Sequence, residues 1–125
     1  MIDHIKLFVS DITRSRSFYQ AALEPLGYRV VMEPAPTVLG LGLDRPDLWL
    51  AATDPDMPQP TRSHVAIQAE SRERVDAFHR AAIEAGGTDN GGPGPRPQYH
   101  PGYYGAFVLD PDGNNIEAVC HRPED

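Results

Sequence analysis

A single cysteine, Cys120, is the only thiol in this chain of 125 residues. No intrachain disulfide can form, and a reducing cytoplasm is the expected location. Basic residues are scarce: 11 Lys and Arg stand against 18 Asp and Glu, a net charge of −7. No basic face is available to meet phosphates, so general nucleic-acid or anionic-membrane binding is not expected. Long apolar runs are missing too, and none approaches a membrane span. The opening Met1-Ile2-Asp3-His4 lacks the basic region and apolar core of a signal peptide. With 40% hydrophobic residues the chain is not compositionally disordered. What remains is one globular domain, residues 1–125, long enough for a sizeable core.

Proline and glycine are plentiful, at 13 and 11, and they cut the chain into short elements. Residues 2–9 alternate, with Ile5, Leu7 and Val9 on one side and Ile2, His4, Lys6 and Phe8 on the other. That pattern predicts a strand. Asp11 caps a helix whose apolar stripe is Phe18, Ala22 and Leu26. Pro25 and Gly27 end it. Strand-like runs follow at Tyr28–Met32, Thr37–Leu43 and Leu48–Ala52. Residues 54–60 hold three prolines and read as a stiff linker.

The opening pattern then returns. Residues 62–69 alternate, Ser71 caps a second helix, and Gly86-Gly87 closes it. His4 and His64, Asp11 and Ser71, Arg14 and Arg74, Phe18 and Phe78, Ala22 and Ala82, and Gly27 and Gly87 all stand 60 residues apart. This is an internal repeat, with units at about 1–53 and 61–121. Residues 86–105 break it. Their glycines and prolines predict a long loop over the site, bearing Tyr99, His100, Tyr103 and Tyr104. The last strand follows an Asp110-Pro111-Asp112-Gly113 turn and carries Glu117 in the apolar run Ile116 to Cys120. A carboxylate there needs a partner.

A duplicated strand–helix–three-strand unit, with His early in each copy and Glu on the last strand, resembles the vicinal oxygen chelate superfamily. That family includes glyoxalase I, extradiol dioxygenases, fosfomycin-resistance enzymes and bleomycin-binding proteins. The resemblance covers essentially the whole chain. It implies an α+β fold in which two βαβββ repeats form a cupped, incomplete barrel of mixed sheet with helices outside. It also implies His4, His64 and Glu117 as ligands of a divalent ion: Fe, Zn, Mn, Ni or Co. The run His100, Phe107, Asp110-Pro111-Asp112-Gly113, Glu117 is similar to the extradiol pattern, with Phe107 where that pattern has Tyr. Ala51, the repeat partner of Glu117, cannot coordinate, so the pattern is three-liganded and differs from ordinary glyoxalase I.

Two imidazoles and one carboxylate on one side of an ion leave positions open for substrate, water or oxygen. The expected function is a metal-dependent enzyme acting on a small oxygen-chelating molecule, with dioxygenase-like or related chemistry. A glyoxalase-type isomerase or lyase with water in the fourth position is one alternative. A metal-free drug- or metabolite-binding protein of bleomycin-resistance type is another; there His4 or His64 would simply hydrogen-bond Glu117. His100, Glu117 and Tyr104 are the candidate catalytic residues. Trp49, Tyr99 and Tyr103 are the candidate substrate contacts. His121 reads as a solvated tail residue and Asn115 as a strand-start residue. A homodimer is expected, with each site either within one chain or shared between two.

Overall fold

The computed structural model describes residues 1–57 and 61–122; Pro58, Gln59 and Pro60 of the linker lie outside the described residues. The first unit runs β1 (Ile5–Val9), α1 (Ile12–Leu23), β2 (Arg29–Ala35), β3 (Val38–Gly42) and β4 (Pro46–Ala52). The second repeats it as β5 (His64–Gln68), α2 (Arg72–Glu84), β6 (Thr88–Pro95), β7 (Tyr104–Leu109) and β8 (Asn115–Cys120). Each unit forms one four-stranded sheet, in the orders β1-β4-β3-β2 and β5-β8-β7-β6. The first and last strands of each unit pair in parallel and the other pairs are antiparallel. The fold is α+β: two βαβββ repeats making a cupped, unclosed barrel with helices outside.

The repeat follows from local chemistry used twice. Asp11 accepts from the Arg14 N–H at 3.1 Å and Ser71 Oγ from the Arg74 N–H at 3.2 Å, so both helices start on the same cap. Strand alternation sends Leu7, Val9, Ile67, Ile116 and Ala118 towards the helices. They meet Phe18, Tyr19, Val75 and Phe78 in one core shared by both units. A Cβ on Gly87 would lie 2.4 Å from Val108 Cγ1 and 2.8 Å from Phe18 Cε1, so only glycine fits where the second unit leaves α2.

The turn before β8 is fixed from both units. Gly113 has φ of 88° and donates to the Asp110 carbonyl at 3.0 Å. Asp110 Oδ1 accepts from the N–H groups of Asp112 and Asn114 at 2.9 and 2.8 Å. Its Oδ2 accepts from the buried Tyr19 hydroxyl at 2.5 Å. Burial and the adjacent Asp110 hold the Tyr19 hydroxyl far above its ordinary pKa, so it stays a donor.

Three expectations need correction. Residues 88–95 are not loop but strand β6. β6 pairs only with β7, at the sheet edge, where proline is tolerated. Its register shifts at Asp89/Gly91 and Gly91/Gly94, which hides its periodicity. β2, the other sheet's edge, likewise continues through Pro34. β1 starts at Ile5, where pairing with Leu48 begins, so His4 stands one residue before the strand that was expected to carry it.

Candidate functional site

Glu117 lies directly across from Ala66 on β5 and Phe107 on β7. Its side chain therefore shares the open, helix-free face of the second sheet with those of His64, Ala66 and Phe107. Glu117 is 2% exposed, yet both its oxygens are engaged. His64 Nε2 lies 2.9 Å from Oε1, and the Tyr103 hydroxyl donates a short hydrogen bond to Oε2. This occupies the carboxylate in its apolar run. A Cβ on Gly105 would stand 3.2 Å from Glu117 Oε2 and 3.2 Å from Tyr103 Cε1, so glycine there makes room for the contact.

Rings extend the arrangement outward. His64 meets Phe107 edge-on, with centroids 6.0 Å apart. Tyr103 contacts Tyr99, His100 and His121 at 4.9, 5.3 and 5.4 Å. His100 and His121 stack, with His100 Nε2 and His121 Nδ1 2.9 Å apart. His100 Nδ1 donates to the Pro101 carbonyl at 2.7 Å, so its Nε2 accepts from His121 Nδ1–H. Burial, then the adjacent Glu117 carboxylate, push the Tyr103 hydroxyl up to about 12. It is a hydrogen-bond donor at neutral pH, not a base.

Of the expected site residues, the structure brings His64, Glu117, Tyr103, Tyr99 and His100 together. Tyr104 turns away. As a strand neighbour of Tyr103 it points to the helix side, donating to Asp76 Oδ1 at 2.6 Å under the Arg72 guanidinium. Trp49 sits on the other sheet, in a shallow depression with Lys6 and Arg45. His4 hydrogen-bonds Asp3 at 2.7 Å and is exposed. It borders a cleft of about 810 Å³ whose lining includes residues 2–5 and 64–68, His64 among them. Among the described residues of one chain, no three His, Cys, Asp or Glu side chains form a common metal-holding group.

The His64–Glu117 pair nevertheless suits two neighbouring ligand positions. Donors at right angles on bonds of about 2.0–2.1 Å stand about 2.9 Å apart, the spacing His64 and Glu117 have. Asn115 adds a second fit. Its Nδ2 is 3.4 Å from His64 Nδ1, while its Oδ1 is buried without a hydrogen-bond partner. Turning that amide over gives Oδ1 the Nδ1–H of His64 and leaves Nε2 with a free lone pair for an ion. One chain thus offers a His–carboxylate hydrogen-bonded pair whose spacing two neighbouring ligand positions would also accept.

Sequence reasoning missed His121, Asn115 and Arg96. Period-two alternation from Glu117 would have put both Asn115 and His121 on its face. Arg96 carries no such signal, because its position depends on the irregular β6–β7 register.

The match to the glyoxalase/bleomycin resistance protein/dioxygenase superfamily model runs over residues 1–118. A solved glyoxalase/bleomycin resistance protein from Albidiferax ferrireducens is 33% identical, with a TM-score of 0.76, covering 97% of this chain and 98% of that one. A family enzyme from Burkholderia phytofirmans shares the fold at 22% identity and a TM-score of 0.74, covering 95% and 97% of the two chains. So does a lactoylglutathione lyase from Agrobacterium tumefaciens, at 19% identity and 0.67, covering 96% and 92%. No curated protein matches. Among the described residues, no helix is long and apolar enough to cross a membrane. The chain belongs to the glyoxalase/bleomycin resistance protein/dioxygenase superfamily.

Proposed function

We propose that the chain is a metal-dependent enzyme acting on a small organic substrate that chelates through adjacent oxygens. The observation that carries this is the His64–Glu117 pair, donor atoms 2.9 Å apart on a buried carboxylate. His64 and Glu117 would hold a divalent ion, of the Fe, Zn, Mn, Ni or Co class, with His4 as third ligand. His4 does not join the pair within one chain, so a second copy supplies it and the working form is a cytoplasmic homodimer. β1 and β5 suit that arrangement, since both are edge strands beside an open cleft. The bound ion would act as a Lewis acid on the substrate oxygens. Dioxygenase-like chemistry is the favoured class, with a glyoxalase-type isomerase or lyase as the alternative.

The chain's own groups have distinct tasks. Tyr103 fixes Glu117 by donating to Oε2, and Asn115 sets the His64 tautomer. His100, in ring contact with Tyr103, is the proposed proton-transfer residue, a role in which its Nε2 exchanges the His121 contact for substrate. Tyr103, holding Glu117, is the tyrosine of the site in place of Tyr104, whose hydroxyl is committed to Asp76. Tyr99, 59% exposed, offers a ring to a planar substrate.

One observation favours a second reading. His64 and Glu117 satisfy each other directly, as a metal-free drug- or metabolite-binding protein would require. Turnover separates the two. A panel of vicinal diols, 2-oxoaldehyde–thiol adducts and epoxides should include a substrate whose conversion stops after chelator dialysis and returns with added ion. A protein that turns over nothing, and binds aromatic ligands equally well with and without chelator, overturns the enzyme reading.

A further inference from the structure

The glycines of β6 serve a side chain that lies outside the His64–Glu117 pair. Arg96 follows β6 and folds back across it. Its Nη2 donates to the Gly92 carbonyl and its Nη1 to the Gly94 carbonyl, both at 2.8 Å, with a longer contact to Pro95 at 3.4 Å. A Cβ on Gly94 would stand 3.2 Å from Nη1, and one on Gly91 would stand 3.4 Å from Nη2 and 3.0 Å from Phe107 Cδ1. Glycine at these positions leaves a cradle for the guanidinium. It rests there over the Phe107 ring, 5.4 Å from the centroid.

Phe107 packs its ring against His64 at 6.0 Å and lies across from Glu117. The cation is thus fixed on the open face, one aromatic ring away from the paired donors. Backbone carbonyls hold it without neutralising it. Among the described residues no carboxylate forms an ion pair with it. Of its five N–H groups, the carbonyls engage those on Nη1 and one on Nη2, leaving the Nε–H and the second Nη2–H for a ligand. A preorganised, half-buried guanidinium in a chain of net charge −7 is suited to receive an anion.

We propose that Arg96 is the specificity-determining residue of the site, so that the substrate carries an acidic group, a carboxylate or phosphoryl oxyanion, besides its chelating oxygens. Arg96 takes the acid across Phe107 while the oxygens face His64 and Glu117. This rests on the reading of those two residues as the reaction centre.

Calorimetric titration of the as-purified protein tests it with 3,4-dihydroxybenzoate and its neutral counterpart, 3,4-dihydroxybenzamide. The wild type should bind the acid about tenfold tighter or more. Arg96→Gln should lose that preference while keeping its affinity for the amide, and Arg96→Lys should retain part of it. An arginine that merely clasps the hairpin would lower the melting temperature of both variants and leave the preference intact. A wild type without preference, including one that binds neither probe, overturns the proposal, as does a preference that survives in Arg96→Gln. Metal content is measured on the same samples. A metal-free wild type that still prefers the acid through Arg96 contradicts the metal reading and leaves this one standing.

Discussion

Glu117 is the residue on which the site turns. A carboxylate 2% exposed would be costly if unpartnered. Here one oxygen faces His64 and the other takes the Tyr103 hydroxyl. The Tyr103 contact has a consequence at alkaline pH. The folded hydroxyl titrates at about 12 against an ordinary value of 10.0, so the folded state holds this proton more tightly than the unfolded chain. Its stabilising contribution is fully present below pH 10.0 and is lost as pH rises through about 12. Tyr103→Phe should therefore show a shallower loss of stability across that window, measured by urea denaturation at stepped pH. An unchanged slope would mean that Tyr103 is not held as described. Glu117 stood out in the sequence because it interrupts an apolar run. Tyr103 and Tyr104 were indistinguishable there, since adjacent residues of one type give no signal of which faces the site. Strand parity alone separates them, and it needs the start of β7.

At the scale of elements, β6 shows where local chemistry stops being legible. Its sequence Thr-Asp-Asn-Gly-Gly-Pro-Gly-Pro has no apolar periodicity, because as an edge strand it pairs on one side only and its register shifts twice. Glycines in this stretch do different work. Gly87 is packed against Val108 and Phe18, whereas a Cβ on Gly92 would meet nothing within 4 Å. Gly87→Ala should cost about 1–3 kcal/mol by overpacking, and Gly92→Ala should stay within about 0.5 kcal/mol of wild type. Chemical denaturation of the two variants side by side checks this, and equal effects would contradict the packing described for the entry to β6. The helices were far easier to read. Their caps, stripes and terminators are local signals, and the repeat states each of them twice.

For the molecule as a whole, the repeat made the architecture legible. Helix, cap and strand order match across an offset of 60 residues, and the two sheets fold to the same strand order. The relation of the halves was not legible. His4 and His64 are equivalent in sequence, but only His64 lies on a strand beside a carboxylate in its own chain. By strand pairing it is Trp49, across from Lys6 as Glu117 is across from Ala66, that stands where the other half would need one, not Ala51 as the sequence spacing suggested. If a second copy completes each centre, two defective chains can complement each other. His4→Ala and His64→Ala should each fail to retain metal alone. Co-expressed, they should recover part of the wild-type content, because a mixed dimer keeps one intact centre. A centre built within one chain would recover none.

In the proposed centre a divalent ion is held by His64, Glu117 and His4. Elemental analysis of protein purified without chelator tests it most directly. The wild type should carry about one equivalent of a single divalent metal per chain, lost in both His64→Ala and Glu117→Gln, with the fold intact by circular dichroism. A wild type free of metal after incubation with each candidate ion, or metal retained at full stoichiometry in both variants, would contradict it.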